Sequence, residues 1–131
     1  MSDKVCETSA APKLLFACSG AADVGEIADR AARKMTKEGA GKMFCLAGIG
    51  GRVEPIMKAT VSAAQILALD GCGLDCVKQS LEQAGFKNYI HLRVTDLDMA
   101  KGSSPATNEH IDRVSQKAQE LLSAQPQERK S

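Results

Sequence analysis

Four short apolar runs alternate along the chain with four stretches of helical periodicity, and no other feature restricts the fold as tightly. The first run covers residues 13–18, with no polar residue from Leu14 to Cys18; the second covers 43–47, the third 66–69 and the fourth 89–94. Runs this short and this apolar read as strands buried on both faces. The fourth, from Tyr89 to Val94, alternates in polarity and reads as an edge strand with one wet face. Between the runs lie apolar residues at helical spacing. Val24, Ile27, Ala28, Ala31 and Met35 define one helix face. Val53, Ile56, Met57, Thr60 and Ala64 define a second, with Pro55 suited to a first turn. Val77, Leu81 and Ala84 define a third, in a helix from about Asp75 to Ala84. Ile111, Val114, Ala118, Leu121 and Leu122 define a fourth, between about Ala106 and Leu122. Asp23 and Glu26 carry the spacing of a capping box at the first helix, and Gly39 and Gly85 stop helices. The order β-α-β-α-β-α-β-α implies a single α/β domain, with helices flanking a mainly parallel four-stranded sheet.

A length of 131 residues suits one domain. Residues 1–12 read as a polar lead-in, 13–124 as the domain and 125–131 as a polar tail. The core must be aliphatic, since the chain has no Trp, one Tyr and three Phe. With 17 Lys+Arg against 16 Asp+Glu there is no basic stripe, so no nucleic-acid partner is expected. No apolar run approaches the roughly 20 residues of a membrane helix, and residues 1–12 lack an apolar signal segment. A cytoplasmic location is therefore expected, where cysteines stay reduced and serve as ligands or reactive thiols.

Strand order gives the cysteines a common address. Cys18 ends the first strand, Cys45 lies near the end of the second, Cys72 follows the third, and Cys76 starts the next helix. In a parallel sheet these ends face one way, and ligands bind beyond them. Four thiolates suit one zinc ion per chain in a closed tetrahedral site with sulfurs about 2.3 Å from the metal. Their negative charge would be met by helix N-termini, and Gly20, Gly48, Gly50, Gly51, Gly71 and Gly73 would let the backbone come close to sulfur. Cys6, in the lead-in, stands outside the set. Each cysteine taken singly is equally a small core residue, and ligand type alone does not separate zinc from another thiophilic metal.

A thiol redox or sulfur-transfer protein is the alternative, with Cys18 or Cys72 as the reactive thiol. Phosphatase chemistry is disfavoured: the oxyanion-holding Arg expected six positions after such a cysteine is replaced by Val24. Gly39-Ala40-Gly41-Lys42 precedes a strand and is followed by Met43, so it reads as a turn and not as a phosphate loop. His91 and His110 read as surface residues. Asp70 reads as capping the turn at Gly71, Asp75 as an ordinary helix-start carboxylate, and Asp70 and Asp96 as groups that could orient a ligand.

The segment Leu69-Asp70-Gly71-Cys72-Gly73-Leu74-Asp75-Cys76 resembles the signature of the DGC-domain family, described as zinc-binding. Cys18-Ser19-Gly20 with Val24-Gly25, the stretch from Gly41 to Gly50, and Val94-Thr95-Asp96-Leu97 extend the resemblance from residue 13 to about 101. It implies that Cys18, Cys45, Cys72 and Cys76 are the zinc ligands. Ala17 and Gly73 stand where the family pattern leads one to expect Pro, which loosens two loops without removing a ligand.

Overall fold

The structure, a computed structural model, describes residues 11–124; Cys6, most of the lead-in and the tail from 125 lie outside them. Four parallel strands form one sheet in the order β2-β1-β3-β4: β1 is Lys13–Ala17, β2 Lys42–Met43, β3 Gln65–Asp70 and β4 Ile90–Arg93. The helices are α1 (Asp23–Lys37), α2 (Leu46–Gly50), α3 (Glu54–Val61), α4 (Cys76–Gln83) and α5 (Asn108–Ala124), with a 3₁₀ turn at Val94–Asp96. The expected single-domain, parallel α/β architecture is observed. None of the described helices is long and apolar enough to cross a membrane.

Successive strand side chains alternate faces, and this divides the core in two. Leu15, Ala17, Leu67 and Leu69 meet α1 and α5 on one face. Leu14, Phe16, Ile66 and Ala68 meet Ile49 of α2 and Val77 and Leu81 of α4 on the other. All six residues of β3 are buried, so its run shows no polar alternation. On β4 only Leu92 is buried, as expected for an edge.

The second strand is shorter than its apolar run implies. β2 stops at Met43, although the Phe44 N–H still donates to the Leu15 carbonyl at 2.8 Å. The chain then turns into α2, with Cys45 at the cap position, so the expected loop at Gly48–Gly51 is largely helical. An edge position offers β2 one neighbouring strand. Leaving it lets Phe44 pack edge-on against Phe16, with ring centroids 6.0 Å apart, and lets Ile49 become fully buried.

The capping box expected at α1 does not form. Ala22 occupies the cap position without a side-chain bond, and the Glu26 N–H bonds to the Ala22 carbonyl at 3.0 Å. The Asp23 carboxylate accepts N–H bonds from Val24 (2.7 Å), Gly102 (2.9 and 3.0 Å) and Ser104 (3.0 Å). It thereby ties the connection before α5 to the start of α1, and the backbone donors of Gly102 and Ser104 hold its carboxyl below the usual range.

Two glycines set the closest approach at the carboxyl ends of the strands. A Cβ on Gly71 would lie 2.9 Å from backbone atoms of Val24 and Gly25, and one on Gly25 would lie 2.7 Å from the backbone of Gly20. The loop after β3 therefore touches the first turn of α1 backbone to backbone. Of the glycines expected near the sulfurs, Gly48 leaves room for Ile56 and also brings its N–H to Cys45 Sγ, while a Cβ on Gly20, Gly50 or Gly73 would meet nothing within 4 Å.

Gly25→Ala separates two opposed effects. Helix propensity favours Ala by about 1 kcal/mol. Overpacking against a backbone that cannot rotate away costs about 1–3 kcal/mol. The clash should win, with a net loss of about 1–2 kcal/mol in denaturant unfolding, whereas Gly50→Ala, whose Cβ meets nothing, should be neutral or slightly stabilising.

Candidate functional site

The site begins at the middle of the sheet. β1 lies between β2 and β3, and the chain leaves β1 toward one neighbour and returns beside the other. After β1 the chain enters α1 on one face; after β3 it enters α4 on the opposite face. A crevice therefore opens between the carboxyl ends of these two strands, the usual ligand position in such sheets. Cys18 stands at one side of it, its N–H still bonded to the Leu69 carbonyl at 3.2 Å, and Cys72 and Cys76 stand at the other. Cys18 and Cys72 are half-buried, Cys45 and Cys76 are exposed, and all four are free thiols.

The four sulfurs share this rim without forming a single coordination cluster. Among the described residues, the donor group whose atoms lie within 4.8 Å of one another is Asp70, Asp75 and His91, and it contains no cysteine. Cys18 and Cys45 line one cleft of about 870 Å³ together with Arg33, Lys42, Phe44 and Ser80. Cys72 and Cys76 bracket the loop across the crevice. Although Cys76 is exposed, partial desolvation of its thiol pushes it up, the negative charges of Asp70, Cys18 and Cys72 add to this, and the Lys101 ammonium opposes it. Lys101 Nζ lies 3.7 Å from Cys72 Sγ.

The helix N-termini do less for the sulfurs than the sequence suggests. Among the described residues, a cysteine takes up a helix-start donor at α2 alone: the Gly48 N–H meets Cys45 Sγ at 3.3 Å. At α4 that place belongs to Asp70, whose buried carboxylate accepts the N–H of Val77 at 2.7 Å and of Lys78 at 3.2 Å. Asp70 thus caps a helix seven residues on, not the Gly71 turn.

His91 is likewise no bystander. Its Nε2 lies 2.9 Å from Asp70 Oδ2 and 3.6 Å from Asp75 Oδ1. Asp75 sits in the left-handed region, at φ 56° and ψ 46°, where a residue with a Cβ is strained. Arg93 grips both of its oxygens, Nε to Oδ1 at 2.9 Å and Nη2 to Oδ2 at 2.8 Å, and this guanidinium holds the Asp75 carboxyl below the usual range. Asp96 contributes a longer contact to Arg93 at 3.4 Å. His110 lies apart, its Nδ1 2.7 Å from the Pro105 carbonyl. Every oxygen of Asp70 and Asp75 is engaged, so the trio acts as a clamp on the Cys72–Cys76 loop. The signal in the sequence was faint: His91 and Arg93 share one face of a polar edge strand, beside a strand that ends in Asp70.

These features define a parallel α/β protein carrying four reduced thiols at the carboxyl rim of its sheet. The model of the DGC domain matches residues 14–118, and the chain belongs to that family. It is similar to the anaerobic and virulence modulator AnvM of Pseudomonas aeruginosa, with 35% identity over 88 residues, 67% of each chain. No solved structure matches the chain significantly.

The clamp can be tested by substitution. Arg93→Ala should lower stability measurably, because it removes the two hydrogen bonds that hold Asp75 in its left-handed conformation and leaves that carboxylate half-enclosed. Asp75→Gly should recover much of the loss in the double variant, since Gly adopts that conformation without a clamp. Urea unfolding measures both, and Cys76 alkylation rates should rise in the single variant and return in the double. A depressed Asp75 stabilises the fold fully above its unfolded value of about 3.9 and loses that contribution as pH falls through the lower folded value. The difference between wild type and Arg93→Ala should therefore shrink as the pH falls below the unfolded carboxylate value of about 3.9.

Proposed function

We propose that the chain is a zinc-binding protein in which Cys18, Cys45, Cys72 and Cys76 hold one ion, with a structural or regulatory role. The observation that carries this reading is the placement of four free cysteines from three loops on one rim, around the crevice of a parallel sheet. The donor set fits: four soft thiols favour zinc over hard cations, and none is committed to a disulfide. Reaching sulfur–metal bonds of about 2.3 Å requires the loops to draw together, so metal uptake and loop closure would be coupled. A closed four-thiolate site leaves no position for substrate, which favours a regulatory use over catalysis at the metal. The relative named as a modulator supports the same direction. The rim thiols imply a reducing setting, and the cytoplasm is the proposed location.

A second reading has one observation in its favour. Lys101 Nζ beside Cys72 Sγ is the kind of neighbour that supports a reactive thiol, in keeping with redox or sulfur-transfer use of Cys72.

Metal analysis of protein purified under reducing conditions should find about one zinc per chain, and serine at any of the four cysteines should lower the content or weaken retention against a chelator. Folded, metal-free protein that takes up no zinc would overturn the reading. Rapid alkylation of Cys72 alone in zinc-replete protein would favour the second.

A further inference from the structure

Thiolates gathered on one divalent ion keep an excess of negative charge. The rim adds to it from below. The buried Asp70 carboxylate stands under the Cys72–Cys76 loop and takes the first amides of α4, which would otherwise serve the sulfurs. Asp75 is matched by Arg93, which bonds both of its oxygens. The Gly48 N–H serves Cys45, on the α2 side. Charge crowded at Cys72 and Cys76 is therefore stabilised by a cation brought from elsewhere in the chain.

Lys101 supplies that charge. Among the described residues it is the cation that contacts a sulfur, Nζ to Cys72 Sγ at 3.7 Å. The connection between β4 and α5 carries it there, and each anchor of that connection fixes where it sits. The Thr95 N–H donates to the Gly71 carbonyl at 3.2 Å, which lays the chain beside the loop that holds Cys72. Met99 is buried in the core formed with α1 and α5. The Ala100 N–H donates to Ser104 Oγ at 2.8 Å, and the Ser103 N–H to the Ala100 carbonyl at 3.1 Å. These bonds close a turn around Gly102, whose φ of 93° suits glycine. The Asp23 carboxylate accepts from the Gly102 and Ser104 amides and fastens the turn to the start of α1. Met99 and Ser104 are buried, and Lys101 is left exposed between them. Its charge also reaches Cys76, drawing that thiol down against the groups that push it up.

We propose that Lys101 is a positioning residue of the rim: its ammonium balances the negative charge at Cys72, and the turn fastened by Asp23 holds it in place. In the zinc-loaded chain it steadies the site, and this part rests on the zinc reading. In the metal-free chain the same charge draws anionic reagents to Cys72, whether or not zinc binds. The contact is a point charge on sulfur, neither bidentate nor stacked. Lys101→Arg therefore keeps the role, and Lys101→Gln, which keeps a polar side chain without the charge, loses it.

The test has two arms, both on the full chain. In the first, reduced, metal-free protein is alkylated with anionic iodoacetate or neutral iodoacetamide, and peptide mass spectrometry gives the rate at each cysteine. The ratio of the two rates cancels the fraction of thiol that is ionised. At Cys72 it should fall about three- to fivefold in Lys101→Gln, as for an exposed ion pair, and hold in Lys101→Arg. It should also fall in Asp23→Asn, although that variant removes a negative charge, and fall no further when Lys101→Gln is added. At Cys45 it should not change. In the second arm, zinc-loaded protein meets a chelator. Lys101→Gln should lose its ion about three- to fivefold faster than wild type or Lys101→Arg, and high salt should narrow the gap. A Cys72 ratio unmoved by Lys101→Gln, an equal fall at Cys45, a loss that Lys101→Arg does not restore, an Asp23→Asn variant that matches wild type, or zinc retention unchanged in Lys101→Gln would each overturn the proposal. If the wild type takes up no zinc, the zinc reading fails and the alkylation arm alone decides the role of Lys101.

Discussion

Leu14 to Ala17 and Ile66 to Leu69 are buried on both sides, and that burial forces β1 and β3 together at the centre of the sheet. Exposing either strand would leave several aliphatic side chains in water, at about 1.5–3 kcal/mol each. Once the two are paired in parallel, their carboxyl ends lie side by side. Because the helices that follow take opposite faces, the loops must diverge there. The backbone contact of Gly71 with Val24 and Gly25 closes the lower part of this divergence. Cys18, Cys72 and Cys76 flank what remains open. The rim is therefore a consequence of core packing, and the cysteines use a place that the aliphatic residues had already created.

What could be read from the sequence follows from how local each cause is. β1, β3, α1 and α5 announce themselves through runs and periodicities that their own residues carry. β2 does not, because its length is set by what Phe44 and Ile49 can bury after leaving the sheet, and that depends on Phe16 and Ile56 elsewhere in the chain. The rim location of the four cysteines was legible, since strand order alone implies it. The clamp was not. Asp70, Asp75, His91 and Arg93 are unremarkable singly, and their role comes from the register of β4 on β3, which places Arg93 opposite Asp70. Asp23 is similar: its carboxylate serves a loop some eighty residues away, which no capping pattern encodes.

Electrostatically the rim is divided. On the α4 side the buried Asp70 carboxylate occupies the helix start, and burial together with that charge keeps the Cys76 thiol protonated to higher pH. Lys101 is the nearby cation, held over Cys72 by a loop that Asp23 pins in place. On the α2 side the Asp29 carboxylate that lines the cleft is taken up by Arg33 and Ser19. Cys45 receives the helix-start donor itself, and Lys42 lines the same cleft. The same residue type thus meets two environments within one rim, one set by an anion beneath it and one by donors around it.

The two sides also differ in stiffness. The Cys72–Cys76 loop is held by Arg93 on Asp75, by Asp70 on the first amides of α4 and by His91 between the two carboxylates, so it has little freedom to move. Cys45 instead precedes a helix of five residues, and the two-residue strand before it is bonded to one neighbour. That side is anchored to the core by the buried Ile49 and by Phe44 against Phe16, without ion pairs of the kind that hold the other loop. If four sulfurs gather on one ion, the Cys45 side is the part that must travel, toward a partner loop already fixed. The ion pairs that hold one half of the rim, and their absence among the described residues around Cys45, therefore set which loop would close on a metal.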